Sequence, residues 1–501
     1  MKADEKSLQP DLHHRSQEGS VWASFARSVR NNAMAEIGVQ AIRISAMIIL
    51  ARQLAPSDFG AFRVLLIVGL IGILVYEAGI PDALIRLKDL RREHEVTAWS
   101  VSIVLAIASA GLLWFGAPFV ATWMRMPTLR IGIRLLCIPI LLEGTVAISN
   151  ARLQRTFRYG VLALADLLGE VAFLGVGVAV ALGSLKEWSL PAALACRLLI
   201  HAITVWIAEP RPPIGWPTAS AFRELASFAS AVSGGQLVYL LSSNADFLLV
   251  GRLLGSAALG FYVIAWDLLR FIPDRLNQVA GRVTYPAFCR FQDDNNELAR
   301  AYLGFFEHIA RIVLPILIVV VVAAPELVFT VYGRQWLPAA GPLRLLAGGL
   351  TLAGLRVGIG SLFYTKGYPS IDIYLHTLRL VLIIVVVTLC APFGLVAVSA
   401  GMSGVEGVIS IVGIWTASYL IELNPLRLLA AAGPGVRLAM ICGICAVLSK
   451  TVAVGAKLER PEVLIVVAAI CALAYCSLEA QTLTRMFTAA FKGRSLEALD
   501  L

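Results

Sequence analysis

Charged residues are scarce in this chain: they make up 15% of its 501 residues, against roughly 25% in a soluble domain. Other absences narrow the field further. No polar stretch between the apolar runs is long enough for a sizeable soluble domain. Residues 1–30 mix Lys2, Asp4, Glu5, Lys6, Asp11, Arg15 and Glu18 without an apolar core, so they read as a cytoplasmic tail and not as a secretory signal peptide. Gly-x-x-x-x-Gly-Lys, His-Glu-x-x-His and Gly-x-Ser-x-Gly are all missing, which argues against ATP-driven transport and against hydrolytic chemistry. No catalytic residue, metal site or cofactor is expected. The eight cysteines are scattered, mostly within apolar runs, and the one Cys-x-x-Cys, Cys442 and Cys445, has no histidine nearby. It reads as helix packing.

What is present is apolar sequence: 58% of the chain is hydrophobic and its mean hydropathy is +0.79. At roughly 20 residues per crossing, about fourteen transmembrane helices are predicted, over 33–54, 61–81, 97–117, 128–150, 161–182, 189–208, 225–243, 246–268, 303–324, 340–362, 371–390, 393–420, 436–455 and 462–481. Asn244, Asp246, Arg252 and Gly255 interrupt the seventh and eighth, and the eighth has an alternative start near Ser256. The net charge of +9 would raise nucleic acid as a partner in a soluble protein. Here the basic residues sit mainly in short loops, where they report topology. Even-numbered loops hold Arg86, Lys88, Arg91 and Arg92, then Arg152, Arg155 and Arg158, and later Arg270, Arg275, Arg282, Arg290 and Arg300. Odd-numbered loops are poorer, except the last, with Lys450, Lys457 and Arg460. Both termini are therefore expected in the cytoplasm.

Sliding the sequence by 200 residues sets Arg52–Phe62, RQLAPSDFGAF, over Arg252–Tyr262, RLLGSAALGFY; Arg, Leu, Gly and a final aromatic coincide without a gap. The match divides an all-α polytopic fold into two parallel six-helix lobes in pseudo-twofold arrangement, plus two C-terminal helices. The expected boundaries are a tail at 1–30, an N-lobe at 31–208, a proline-rich cytoplasmic linker at 209–222, a C-lobe at 223–420, added helices at 421–482 and a cytoplasmic tail at 483–501. The stretch 270–302 reads as a long internal loop, amphipathic along the membrane surface.

Several motifs resemble those of bacterial polysaccharide transporters, the Wzx-type flippases: Leu54-Ala-Pro-Ser-Asp-Phe-Gly60, Gly79-Ile-Pro-Asp-Ala-Leu-Ile-Arg86, Asn150-Ala-Arg-Leu-Gln-Arg-Thr-Phe-Arg-Tyr159, Asn244-Ala-Asp246, Gly251-Arg-Leu-Leu-Gly255, Leu259-Gly-Phe-Tyr262, Tyr285-Pro-Ala-Phe288 and Tyr332-Gly-Arg-Gln-Trp336. The resemblance implies the two-lobed fold shared with multidrug extruders and lipid II flippases. It also implies a function: moving undecaprenyl-pyrophosphate-linked oligosaccharide repeat units across the bacterial inner membrane by alternating access, for surface or exopolysaccharide biosynthesis. A drug or cation antiporter and a lipid II flippase are the alternatives on the same fold. The implied partners are the lipid-linked oligosaccharide, membrane lipids, and a polysaccharide polymerase and chain-length proteins, with no nucleic acid and a monomeric state. The second half has Ala258 where the first has Asp58, so the halves are not interchangeable at that turn.

Ionisable groups inside apolar spans cost roughly 2.5–3.5 kcal/mol near the bilayer centre, and that cost makes them candidates for function. A flippase for a pyrophosphate-linked lipid needs cations in a wet cavity; Arg43, Arg134, Arg356 and Arg379 are the candidates for the headgroup. Each has a plainer reading, with Arg134 and Arg379 snorkelling to an interface or Arg43 pairing with Glu36. Asp372, His376 and Arg379 form a stripe on one helix face. For coupling to a proton or sodium gradient the candidates are Glu36, Asp166, Glu170 and Asp246. Asp166 and Glu170 stand one turn apart, where two carboxylates share a proton or bind a cation; the plainer reading of Asp166 is topology at the inner surface near Arg158, and Asp246 is expected to stabilise a broken helix end. The remaining acidic residues in spans are Glu77, Glu143, Asp267 and Glu406. Gly354 and Gly358 suggest close helix packing, and Pro139 and Pro315 suggest kinks.

Overall fold

In a computed structural model, the structure describes residues 36–480 except residue 211; the two tails read from sequence, 1–30 and 483–501, lie outside these residues. Every regular element among the described residues is helical. The first helix, α1, covers residues 36–53 of the described chain. There follow α2 (Pro56–Glu77), α3 (Ile80–Arg86), α4 (Arg92–Met124), α5 (Thr128–Arg155), α6 (Tyr159–Ala181), α7 (Ser189–Ala208), α8 (Ala219–Leu254), α9 (Ser256–Cys289) and α10 (Asn295–Tyr332). The chain continues through α11 (Ala340–Leu355), α12 (Ile359–Thr365), α13 (Ser370–Cys390), α14 (Leu395–Leu420), α15 (Pro425–Gly455) and α16 (Arg460–Leu478). Twelve spans among the described residues are long and apolar enough to cross a membrane. The sequence predicts about fourteen; α1 and α9 stand outside the set of twelve.

Three expectations are corrected. Asn244 and Asp246 do not break a helix: α8 runs unbroken for 36 residues. The long loop at 270–302 is mostly helix, since α9 reaches Cys289 and α10 begins at Asn295, where the Asp294 side chain accepts from the backbone N–H of Asn296 at 2.8 Å and of Glu297 at 3.2 Å. Such a cap satisfies donors that the first turn leaves without partners. The tenth span is two helices, because α11 stops at Leu355 and Gly358, with φ of 84°, opens α12. Left-handed backbone of this kind suits a residue without Cβ, so Gly358 is a breaker as well as a packing glycine: a Cβ on it would sit 2.6 Å from the Phe305 ring, as one on Gly354 would overlap the Val313 side chain. The second span breaks similarly at Ala78 and Gly79.

The chain divides into two compact units. One takes the described residues up to Leu54 together with Val64–Leu237; the other takes Ala55–Arg63 and everything from Val238 onward. In the first unit Ile80, Ala83 and Leu84 of α3 pack with Ala98, Ile148, Ala151, Leu225 and Ala229 from α4, α5 and α8. A Cβ on Gly144 of α5 would overlap the Ala106 side chain of α4. In the second unit α10 carries much of the core, and a Cβ on Gly435 of α15 would sit 2.6 Å from the Ala310 backbone. Lipid tails are as apolar as leucine, so close approach through small residues is what holds such helices together.

The second unit also contains the 200-residue offset in physical form. A Cβ on Gly60 would overlap the carbonyl oxygen of Ser256, and a Cβ on Gly260 would overlap that of Pro56. The first turns of α2 and α9 thus touch main chain to main chain, reciprocally. Beside them Trp336, fully buried, meets Phe59 at 5.1 Å and Phe261 at 6.0 Å edge to face and Tyr332 at 6.3 Å in a tilted arrangement. Three of the sequence motifs meet in this one aromatic cluster, which gives them a packing role.

Candidate functional site

Helical spacing builds the site in the second unit. Asp372, His376 and Arg379 follow one face of α13 at intervals of four and three, and Trp266 and Arg270 follow one face of α9. Arg356 caps the C-terminal end of α11, where a cation meets the free carbonyl end of a helix. With Tyr239 and Ser243 of α8 and Glu406 of α14, these residues line a cavity of about 500 Å³.

Its centre is an ion cluster. Glu406 Oε1 accepts from Arg379 Nε at 2.9 Å and Nη2 at 2.6 Å, while Oε2 lies 3.5 Å from Arg356 Nη2. Arg379 also donates to the Ser242 carbonyl. Glu406 and Arg379 are both buried, so each is tolerable only because the other is there. The fully buried Asp246 accepts from the Tyr262 hydroxyl at 3.0 Å, and its other carboxylate oxygen has no hydrogen-bond partner among the described residues. Arg63 lies 3.9 Å over the Phe247 ring and 4.0 Å from Asp267.

Arg270 differs from the other arginines of the cavity. Its guanidinium lies 4.5 Å over the Trp266 ring, and among the described residues it forms no ion pair. A planar guanidinium stacked on an aromatic ring keeps its edge donors available, which suits phosphate oxygens.

The first unit carries a second cluster. Glu170 Oε1 accepts from Arg43 Nη2 at 2.6 Å and Nε at 2.9 Å, and lies 3.0 Å from Arg197 Nε. His201 Nδ1 is 2.8 Å from Glu143 Oε1. Elsewhere Arg155 donates to the Leu84 carbonyl at 2.8 Å and the Lys88 carbonyl at 3.1 Å, closing the end of α3; Arg152 pairs with Glu95 at 2.7 Å.

The predicted site residues therefore fall into separate places. Arg356 and Arg379 meet in the cavity of the second unit. Arg43 and Glu170 meet in the first, with Arg43 paired to Glu170 and not to Glu36. Glu36 is exposed and accepts from Gln40 at 3.2 Å. Asp166 is half-buried and forms no ion pair among the described residues, while its neighbour Glu170 is met by two guanidiniums. Arg134 stacks 4.8 Å over Trp114, an arrangement that fits the interfacial reading. Sequence reasoning missed Arg270, which it placed in a loop, Arg63, at the start of the predicted span 61–81, and Arg197 and His201, although both stand in the apolar run 189–208 and carry the same signal of intramembrane cost.

A bundle of membrane-spanning helices with a charged interior cavity defines a class: the chain is a multi-pass membrane transporter. It belongs to the polysaccharide biosynthesis protein family, whose pattern matches residues 49–341, more than half of its length. Family and fold are those of transporters, not enzymes. The teichuronic acid biosynthesis protein TuaB of Bacillus subtilis (strain 168) is 23% identical over 360 residues, 70% of this chain and 73% of its own. The lipopolysaccharide biosynthesis protein WzxC of Escherichia coli (strain K12) is 21% identical over 422 residues, 83% of this chain and 82% of its own. The fold matches that of the lipid II flippase MurJ in an inward closed conformation with a TM-score of 0.73, at 10% identity, over 91% of this chain and 99% of that one.

Proposed function

We propose that this protein flips polyprenyl-pyrophosphate-linked oligosaccharide repeat units across the inner membrane for polysaccharide biosynthesis, by alternating access. The observation that carries the reading is Arg270, an arginine without a carboxylate partner among the described residues, beside Arg356 and Arg379 in an intramembrane cavity. Pyrophosphate cannot enter hydrocarbon bare, and a cavity with a surplus of guanidinium meets its charge. A cationic drug would meet the same surplus as repulsion, which disfavours the antiporter reading. Undecaprenyl is the carrier that the family resemblance implies, with a polymerase and chain-length proteins acting on the product. The reading includes a monomer with both termini in the cytoplasm, driven by a proton or sodium gradient.

Deletion of the gene tests it. The expected outcome is lipid-linked repeat unit trapped in the cytoplasmic leaflet, measured by protection from an externally added glycosidase, together with loss of polymer. Normal polymer with altered drug resistance would overturn the reading.

A further inference from the structure

The cavity of the second unit holds two chemically unlike sets of side chains. Arg270 and Arg356 are cations. Asp372 and Tyr239, which line the same cavity, are an acceptor and an aromatic ring. Between these two sits His376, whose Nδ1 is 3.0 Å from Ser242 Oγ and whose Nε2 is 3.9 Å from Asp372 Oδ2. The Tyr239 and His376 rings meet edge to face at 5.1 Å.

Exposure sorts these residues into a support and two contact groups. The His376 side chain is 21% exposed and that of Asp372 38%, while Tyr239 is 60% exposed. The Asp372 carboxylate accepts no hydrogen bond among the described residues, since its one ionic neighbour stands at 3.9 Å. An ionised carboxylate only accepts, so it repels phosphate and takes hydroxyl donors. A tyrosine ring offers a flat apolar face with a polar tip. A free acceptor beside an exposed aromatic face is a combination suited to a neutral polyhydroxylated ring, which donates from its hydroxyls and lays its C–H face on the aromatic.

We propose that Asp372 and Tyr239, on either side of His376, form a subsite for the sugar attached directly to the pyrophosphate. This rests on the transport reading above and adds to it a division of labour: phosphate oxygens at Arg270, sugar hydroxyls at Asp372, the sugar face on Tyr239. The first sugar of the repeat unit is then discriminated within the second unit.

The test uses the purified full chain in nanodiscs and two probes: polyprenyl pyrophosphate bearing one glucose or galactose, and the same lipid without sugar. Wild type is expected to bind the sugar-bearing lipid more tightly. A charge-assisted hydrogen bond to a hydroxyl corresponds to roughly tenfold in affinity, so Asp372→Asn should lower the affinity for the sugar-bearing lipid about tenfold more than for the sugar-free one. Tyr239→Ala should act in the same direction and Tyr239→Phe should restore the preference, while Arg270→Ala should weaken both probes together. Equal losses for the two probes in both Asp372→Asn and Tyr239→Ala, or no loss in either, would overturn the sugar subsite and leave the transport reading standing. Binding of neither probe by folded wild type would overturn both.

Discussion

Each unit buries a glutamate that takes two arginines, yet the two are built for different ends. In the first unit Glu170 is 2% exposed, but its partners Arg43 and Arg197 are 39% and 31% exposed, so both guanidiniums keep contact with the surroundings. In the second, Glu406 and Arg379 are 5% and 6% exposed, and only Arg356, at 25%, reaches outward. The first cluster stands beside a histidine–glutamate pair, His201 and Glu143; the second stands beside Arg270, which forms no ion pair among the described residues. A buried pair is costly to break because the survivor keeps an uncompensated charge, whereas a half-exposed one gains little from its partner. Glu406 and Arg379 thus act as the fixed frame of a cavity in which Arg270 forms no ion pair among the described residues.

The largest expected effect comes from removing the two glutamates. Glu406→Gln strands Arg379 and should cost about 3–5 kcal/mol, read as a lowered Tm in detergent, while Glu170→Gln should cost clearly less. Equal drops would erase the difference between the clusters. Next in size is function without stability: Arg270→Ala should reduce transport of a lipid-linked sugar into vesicles at least about tenfold with Tm held. Arg197→Ala should do the reverse, lowering Tm with a smaller loss of transport. Smallest is Arg134→Ala, which loses a stack over Trp114 worth about 0.5–1 kcal/mol and should leave transport at the wild-type rate. A transport defect there would show that the first unit also contributes a cation to transport.

Much of the architecture was legible before any coordinates. Apolar runs separated by short basic loops supplied the helices, and the stripe Asp372, His376 and Arg379 does face one cavity. Several of the errors share one cause. Polar residues in apolar runs were read as interruptions or ends, because an isolated charge in lipid is expensive. Asp246 escapes that cost through Tyr262, sixteen positions on and in another helix, and α8 continues through it. Arg270 was assigned to a loop for the same reason, though its partner ring, Trp266, lies just one turn away on α9. Arg43 found Glu170 across 127 positions and not Glu36 on its own helix. Sequence spacing reveals neighbours along one helix; the partner that makes a buried charge affordable usually comes from elsewhere.

The reciprocal contact of Gly60 and Gly260 has a consequence for how the two halves can drift apart. Asp58 and Ala258 show that side chains at this turn have already diverged. The glycines are held differently, because the obstacle to each is the other segment's main-chain carbonyl, and no substitution removes a carbonyl. A side-chain clash can be relieved by trimming the opposing residue; this one has nothing to trim. The two positions should therefore resist compensation long after the rest of the repeat has become unrecognisable, so a pair of glycines 200 residues apart can outlast every other trace of the internal duplication.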